Sequence, residues 1–221
     1  MMSKIKSILR PYYHIFVRLC KTYRRIGLKN RDFSIISNNC TGGYIYQYFG
    51  INYNTPTAGL FFTTEDYIRL IERPEYYFSR EVAFIRPENS KNKILLQNTS
   101  NWGYFPIGKI EDIEIYFLHY NTEEDAAAKW NRRVNRLNYS NMFFLLTENN
   151  FSNESLLKVF DSINTSNKIC LTFNKYPDLK STKYIAEVPH TGENAAWLPE
   201  IIVHSLDWKK ILNQLSKDDK R

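Results

Sequence analysis

Three apolar runs, residues 113–119, 142–146 and 168–173, are separated by two stretches with helical signatures, and this alternation limits the available folds more than any other feature of the chain. The first has enough consecutive apolar residues to read as a strand buried on both faces, and the other two read as further strands. The first intervening stretch opens at Thr122, with Glu123, Glu124 and Asp125 in its first turn and Arg132, Arg133 and Arg136 toward its end, charges that match a helix dipole. The second is capped by Ser152 and runs to about residue 163. Strands alternating with helices over residues 110–175 predict an α/β fold, a largely parallel sheet flanked by helices.

Upstream, residues 33–37 read as a short buried strand and residues 38–43 as a turn leading into a helix that stops at Gly50. Thr63 or Thr64 caps a further helix, with Glu65 and Asp66 in its first turn. Residues 81–98 read as a hairpin, two short strands around the polar turn 87–92. Beyond Asn174 the chain reads as loop-rich until a final amphipathic helix at residues 206–215.

Charge divides the chain in two. Of its 221 residues 30 are basic and 23 acidic, for a net of +7. Nine of the basic residues fall at or before Arg31, where no acid occurs, which leaves 21 basic against 23 acidic residues and a net of −2 for the rest. Within residues 4–25 apolar side chains recur at three- and four-residue steps, a helical stripe opposed by Lys4, Lys6, Arg10, Arg18, Lys21, Arg24 and Arg25. Residues 1–30 are therefore expected to form a basic amphipathic helix, and residues 31–221 a single α/β domain. Pro11 either begins that helix or kinks it. The charged face suits an anionic membrane surface; docking on the chain's own domain, with the charges merely solvated, is the competing reading. Nucleic acid is not expected, because no recognition motif accompanies the charge and the aromatics lie on the apolar stripe. Three cysteines without a C-x-x-C give neither a disulfide framework nor a zinc pattern, and no apolar stretch approaches a membrane span. The expected location is the cytoplasm, peripheral on the inner membrane face.

Cys40 is the sharpest chemical candidate. It follows a predicted strand, precedes Thr41, Gly42 and Gly43, and falls at a helix start, where free N–H groups and the dipole stabilise a thiolate. The same N–H groups suit an oxyanion. A small buried cysteine beside a tight turn is the structural alternative. His119 is the preferred base, since it ends an apolar strand and would emerge at the carboxyl edge of a parallel sheet, where α/β folds bind ligands. His190 is the second choice, while His14 and His204 fall in helical contexts. Asp112, Glu114, Asp66 and Glu65 are all open as partners that orient the histidine. The Gly42-Gly43 turn also admits a phosphate-binding reading, although G-x-G-x-x-G and the Walker pattern are missing. No metal-ligand spacing is found and no metal is expected.

The run Phe33-Ser-Ile-Ile-Ser-Asn-Asn-Cys-Thr-Gly-Gly43, followed by Tyr53-Asn-Thr-Pro-Thr-Ala-Gly-Leu-Phe-Phe62, Tyr104-Phe-Pro-Ile-Gly108, Phe117-Leu-His-Tyr120, the segment around Lys129-Trp130 and the closing Leu206-Asp-Trp208, resembles the DUF1919 family across residues 30–215. Thr41 stands where members usually carry an aromatic residue. Members are bacterial and usually encoded among capsule and exopolysaccharide genes, some of them labelled acetyltransferases. The resemblance implies a cell-surface polysaccharide pathway, with a motif cysteine at Cys40 and a motif histidine at His119. A more distant likeness is to papain-like cysteine proteins and capsule acetyltransferases.

On these grounds the expected function is acyl transfer through Cys40, from acetyl-CoA or another acyl-CoA, to a glycan or its lipid-linked precursor. His119 serves as base, and Asn38, Asn39, Thr41, Gly42 and Gly43 form the substrate-binding turn. A sugar-nucleotide glycosyltransferase using Asp66 or Asp112, and a non-catalytic module recruiting the polysaccharide machinery to the membrane, are the alternatives. Oligomeric state is left open.

Overall fold

The structure, a computed structural model, describes residues 2–97, 103–186 and 199–215, with the side chains among them except those of residues 2–12, 14, 95, 96 and 200. Helix α1 (Met2–Arg25) precedes β1 (Ser34–Ser37), α2 (Thr41–Phe49), α3 (Thr64–Glu72), α4 (Pro74–Phe78), β2 (Ala83–Ile85), α5 (Lys93–Leu96), β3 (Ile107–Ile110) and β4 (Ile113–Tyr116). Then come α6 (Glu123–Val134), β5 (Met142–Thr147), α7 (Glu154–Ser162), β6 (Lys168–Thr172), β7 (Thr182–Tyr184), α8 (Pro199–Ser205) and α9 (Trp208–Asn213).

Strands β1, β5, β6 and β7 form an all-parallel sheet in the order β1-β5-β6-β7. Side chains alternate across a strand, and here both faces are covered. Ile36, Phe144, Leu146 and Cys170 enter one core with Ile68 of α3, Trp130 of α6 and Phe160 of α7. Ile35, Phe143, Leu145 and Leu171 enter the other with Ile45 of α2, Val203 of α8 and Leu212 of α9. That two-sided burial is why these strands read as unbroken apolar runs, and the expected α/β architecture is the one found.

Four expectations are corrected in detail. Residues 113–119 do not join the parallel sheet. Strand β4 pairs with β3, and β3 with β2, in a separate three-stranded antiparallel sheet. Its two faces are nonetheless both buried, Ile113, Ile115 and Phe117 in the core beneath and Tyr116 against Phe105 and Ile107 above, so the apolar run could not distinguish it from a parallel strand. Residues 81–98 are not a hairpin, since the partner of β2 is β3. Ser90 donates to Glu114 Oε2 at 2.7 Å and the Lys91 N–H to Glu114 Oε1 at 2.9 Å, and these tertiary bonds pin the segment as a loop with a short helix. The cap of α7 is Asn153, whose side chain accepts from the Leu156 N–H at 3.0 Å, while Ser152 Oγ bonds Thr64 Oγ1 at 2.7 Å. The region beyond Asn174 contains β7, and helix α8 precedes the shorter final helix α9. The Thr63 and Thr122 caps are found as predicted, accepting from the Asp66 and Asp125 N–H groups. Helix α1 runs through Pro11 rather than starting there.

The two sheets are joined by residues 58–62. Phe61 forms an antiparallel bridge with Tyr116 of β4, through two backbone bonds of 2.9 Å. The next residue, Phe62, donates its N–H to Asn38 O at 2.8 Å, just past the end of β1. Asn38 is itself fully buried, and its amide clasps the backbone of Thr147 at the end of β5, donating to its carbonyl and accepting from its N–H, both at 2.9 Å. Replacing Asn38 with Ala removes the partner of the buried Thr147 N–H and leaves the Thr147 carbonyl only a longer bond, 3.4 Å, from the Asn149 amide. Urea unfolding of Asn38→Ala should show a loss of about 2–4 kcal/mol; an unchanged midpoint would show that the clasp is not needed.

Candidate active site

Strand β1 delivers Cys40 through a tightly bonded turn. Ser37 Oγ donates to Asn39 O at 2.7 Å and accepts the Gly42 N–H at 3.3 Å, and Asn39 Oδ1 accepts the Thr41 N–H at 3.0 Å. Cys40 is thereby set as the N-cap residue of α2, with Tyr44 N–H returning to its carbonyl at 3.1 Å. A Cβ at Gly42 would stand 2.5 Å from Ser37 Oγ, so this glycine lets α2 sit against β1. Gly43, whose Cβ position meets only ordinary contacts, is the glycine that lines the cavity.

His119 comes from the other sheet. After β4 the chain turns back, with the Tyr120 N–H donating to Phe117 O at 3.0 Å. Behind the imidazole lies Gly59, at φ +79°, where a Cβ would stand 3.6 Å from His119 Cβ and 3.8 Å from its ring. A side chain there is strained whatever the space. Held from behind, His119 Nε2 stands 3.2 Å from Cys40 Sγ. His119, preferred from the sequence, is the histidine that lies beside Cys40, but by another route than expected: it reaches Cys40 from an antiparallel sheet, across the 58–62 link.

Electrostatics differ from the expectation at the thiol. Burial pushes the Cys40 thiol from its ordinary value of 9.0 up to about 11, even though the residue's own N–H lies against it. Two of the helix-start N–H groups expected to stabilise a thiolate, those of Thr41 and Gly42, are taken by Asn39 and Ser37. None of the four carboxylates considered as partners of His119 reaches it. Asp66 pairs with Lys91, Glu114 holds Ser90, Lys91 and Tyr116, Glu65 pairs with Arg69, and Asp112 bonds Tyr77 and Arg69, which hold its carboxyl below the usual range. A thiol 3.2 Å from an imidazole nitrogen is an arrangement in which proton transfer to that nitrogen can generate a thiolate.

Cys40 and His119 open into a cavity of about 280 Å³. Its far wall is cationic and phenolic. Arg133 donates to Ala58 O at 2.9 Å and to Tyr120 Oη at 2.5 Å, and lies 5.2 Å from the Tyr53 ring centre. Lys129 pairs with Asp125 at 2.7 Å and lies 5.1 Å from the Tyr120 ring centre. Tyr44 and Gln47 of α2 complete the wall, and no carboxylate lines it among the described residues. Nor, among those residues, is any group of three His, Cys, Asp or Glu placed to hold a metal ion.

Of the five residues read as a substrate-binding turn, Gly43 alone lines this cavity; Asn38, Asn39, Thr41 and Gly42 build the turn that presents Cys40. Lys129, Arg133, Tyr53 and Gly59 were missed as site residues. Their signal lay in the motif segments 53–62 and 126–133, but Arg133 read as a dipole-matching surface charge. On α1, Lys4, Lys6 and Arg10 have side chains outside those described, as does His14, and His190 lies outside the described residues altogether. Arg18 is exposed. Lys21 packs over Gly50, Arg24 stacks on Tyr48 at 4.1 Å, and Arg25 donates to Gly50 O at 3.1 Å. Lys21, Arg24 and Arg25 therefore face the domain, and the apolar residues Phe16, Leu19 and Tyr23 face outward, Tyr23 at 74% exposure.

A thiol held near 11 sets the pH dependence of labelling without substrate. Iodoacetamide modification of Cys40 should still be climbing at pH 9, above which the thiolate fraction keeps rising. A plateau at neutral pH would mean that a thiolate–imidazolium pair is already formed.

A family model described as "Domain of unknown function (DUF1919)" matches residues 12–211. A Haemophilus influenzae protein, described as an uncharacterized protein, is 30% identical over 183 residues, which span 83% of this chain and 81% of that protein. The match takes in the strand–cysteine turn, the 58–62 link, His119 and the helix that carries Lys129 and Arg133. The chain belongs to the DUF1919 family.

Proposed function

We propose that the protein is a cysteine-dependent acyltransferase acting on a polysaccharide or its lipid-linked precursor. The observation that carries this reading is the 3.2 Å approach of His119 Nε2 to Cys40 Sγ inside a cavity large enough to admit a sugar or an acyl thioester. In the first half-reaction the thiol proton passes to Nε2 as sulfur attacks the carbonyl carbon of an acyl-CoA. The carbon–sulfur bond of the donor breaks, and the departing CoA sulfur takes the proton from His119. In the second, a glycan hydroxyl gives its proton to Nε2 and attacks the Cys40 thioester. The ester forms, and the proton returns to Cys40. The Gly43 N–H, to which no oxygen of the described residues is bonded, is the donor best placed for the oxyanion.

Glycosyl transfer is supported less well. The carboxylates it would use, Asp66 and Asp112, are held in ion pairs away from the cavity, and the Gly42 N–H that a phosphate would need is bonded to Ser37. The polysaccharide pathway follows from the family resemblance, and the acidic or phosphorylated character of many such glycans matches the Lys129–Arg133 wall. Work at the inner membrane face is supported by the outward apolar side of α1, which suits insertion into an interface. No described helix is long and apolar enough to cross a membrane.

Cys40→Ala should abolish acylation of the polymer in cells, and His119→Ala should lower it by about 10²–10⁴-fold. Unchanged acyl content in the Cys40 variant would sink the mechanism. Phe16→Ser combined with Leu19→Ser and Tyr23→Ser should release the protein from anionic liposomes; undiminished sedimentation with the lipid would overturn the location.

A further inference from the structure

A second cavity, of about 730 Å³, lies between α1, α2 and α8. Tyr44 and Gln47 of α2 line both cavities, so the second adjoins the cysteine site across these two side chains. Its walls combine two chemistries. Tyr13 and Val17 of α1 face Ile201 and Val203 of α8, an apolar slot, while Lys21, Arg24 and His204 supply cationic or protonatable groups. Among the described residues no carboxylate lines either cavity, and cations stand in both, Lys21 and Arg24 in one and Lys129 and Arg133 in the other. From Tyr13 to Arg24 the helix covers about 16 Å, which separates the slot's apolar end from its charged end along one wall. Ile15, Phe16, Leu19 and Tyr23 of α1 are also exposed, so the helix presents apolar surface outside the slot as well.

An apolar slot that ends in paired cations and adjoins a nucleophile fits an amphiphile with an anionic ester near its polar end. We propose that this groove binds the lipid phosphate end of the acceptor. Its hydrocarbon lies against Val17, Ile201 and Val203, its phosphate or diphosphate is held by Lys21 and Arg24, and its sugar passes Tyr44 and Gln47 to reach Cys40. This rests on the acyltransferase reading for the fate of the sugar but not for the binding itself. It gives the substrate class as a lipid-linked phosphosugar rather than a finished polymer. It also gives the inward-facing cations of α1 a task, namely gripping the anionic ester of one bound lipid.

Titration calorimetry on the full chain carrying Cys40→Ala, which binds without turning over, tests the proposal with three probes: farnesyl diphosphate, inorganic diphosphate and farnesol. Farnesyl diphosphate should bind on the order of tenfold or more tighter than either of its halves. Lys21→Gln together with Arg24→Gln should cost on the order of tenfold for farnesyl diphosphate. Because Arg24 also anchors α1, Ile201→Ser provides a variant with both cations in place; it should weaken farnesyl diphosphate and leave inorganic diphosphate unchanged. Equal affinity for diphosphate with and without the chain, equal affinity for farnesol, or indifference to both sets of substitutions would overturn the groove. Since the Cys40 thiol is missing throughout, none of these outcomes depends on acyl transfer, and a failure of the chemistry would leave them standing.

Discussion

The pinning of residues 58–62 between two sheets is the constraint on which the rest of the structure depends. One side of this five-residue segment is bonded to Asn38 at the end of a parallel strand, and the other is bridged to Tyr116 in an antiparallel one. Ala58 O accepts from both Tyr120 and Arg133, Gly59 backs the His119 ring, and Leu60 O lies 4.0 Å from the Cys40 sulfur. Cys40, His119 and Arg133 thus each touch the same short link. Two strands that never pair with each other can in this way present their terminal residues within hydrogen-bond reach.

The bonding that makes the turn rigid also determines the state of the thiol. N–H groups that a free helix terminus would offer to a thiolate are spent on Ser37 and Asn39, and burial raises the thiol further. The carboxylates nearby in sequence are committed to holding residues 86–97 and α3 against β4. In the proposed acyl transfer such a pair would react by base-assisted proton transfer rather than from a standing ion pair. Positive charge stands on the opposite wall, on Lys129 and Arg133, each restrained by an aromatic ring and a hydrogen-bonding partner.

Much of this was legible in the sequence, and the failures share a physical origin. The apolar runs at 142–146 and 168–173 specified buried parallel strands, the Thr63 and Thr122 caps were read correctly, and Cys40 and His119 stood out by their positions at strand ends. Periodicity measures burial, however, and burial on both faces looks alike in a parallel sheet and in a short antiparallel sheet covered by a loop. The hairpin reading of 81–98 failed because Glu114, distant in sequence, supplies the bonds that hold Ser90 and Lys91. Arg133 matches the dipole of α6 and Lys129 pairs with Asp125 one turn earlier, yet both also line the cavity, and only the packing of α6 reveals this. On α1 the helix itself was expected and found, but which side meets the domain depends on Tyr48 and Gly50, residues that no pattern within the helix mentions.

What emerges is a DUF1919 protein whose cysteine and histidine, from separate sheets, share one cationic cavity beside a lipid-compatible groove. The central claim is that Cys40 carries the acyl group. Mass spectrometry of the wild-type protein after incubation with acetyl-CoA, without acceptor, tests this most directly. The account predicts one acetyl group, on the peptide containing Cys40, removed by hydroxylamine at neutral pH as a thioester is. Transfer of acetyl to acceptor with Cys40 unmodified at every time point, or an equal adduct on Cys20 or Cys170, would contradict it.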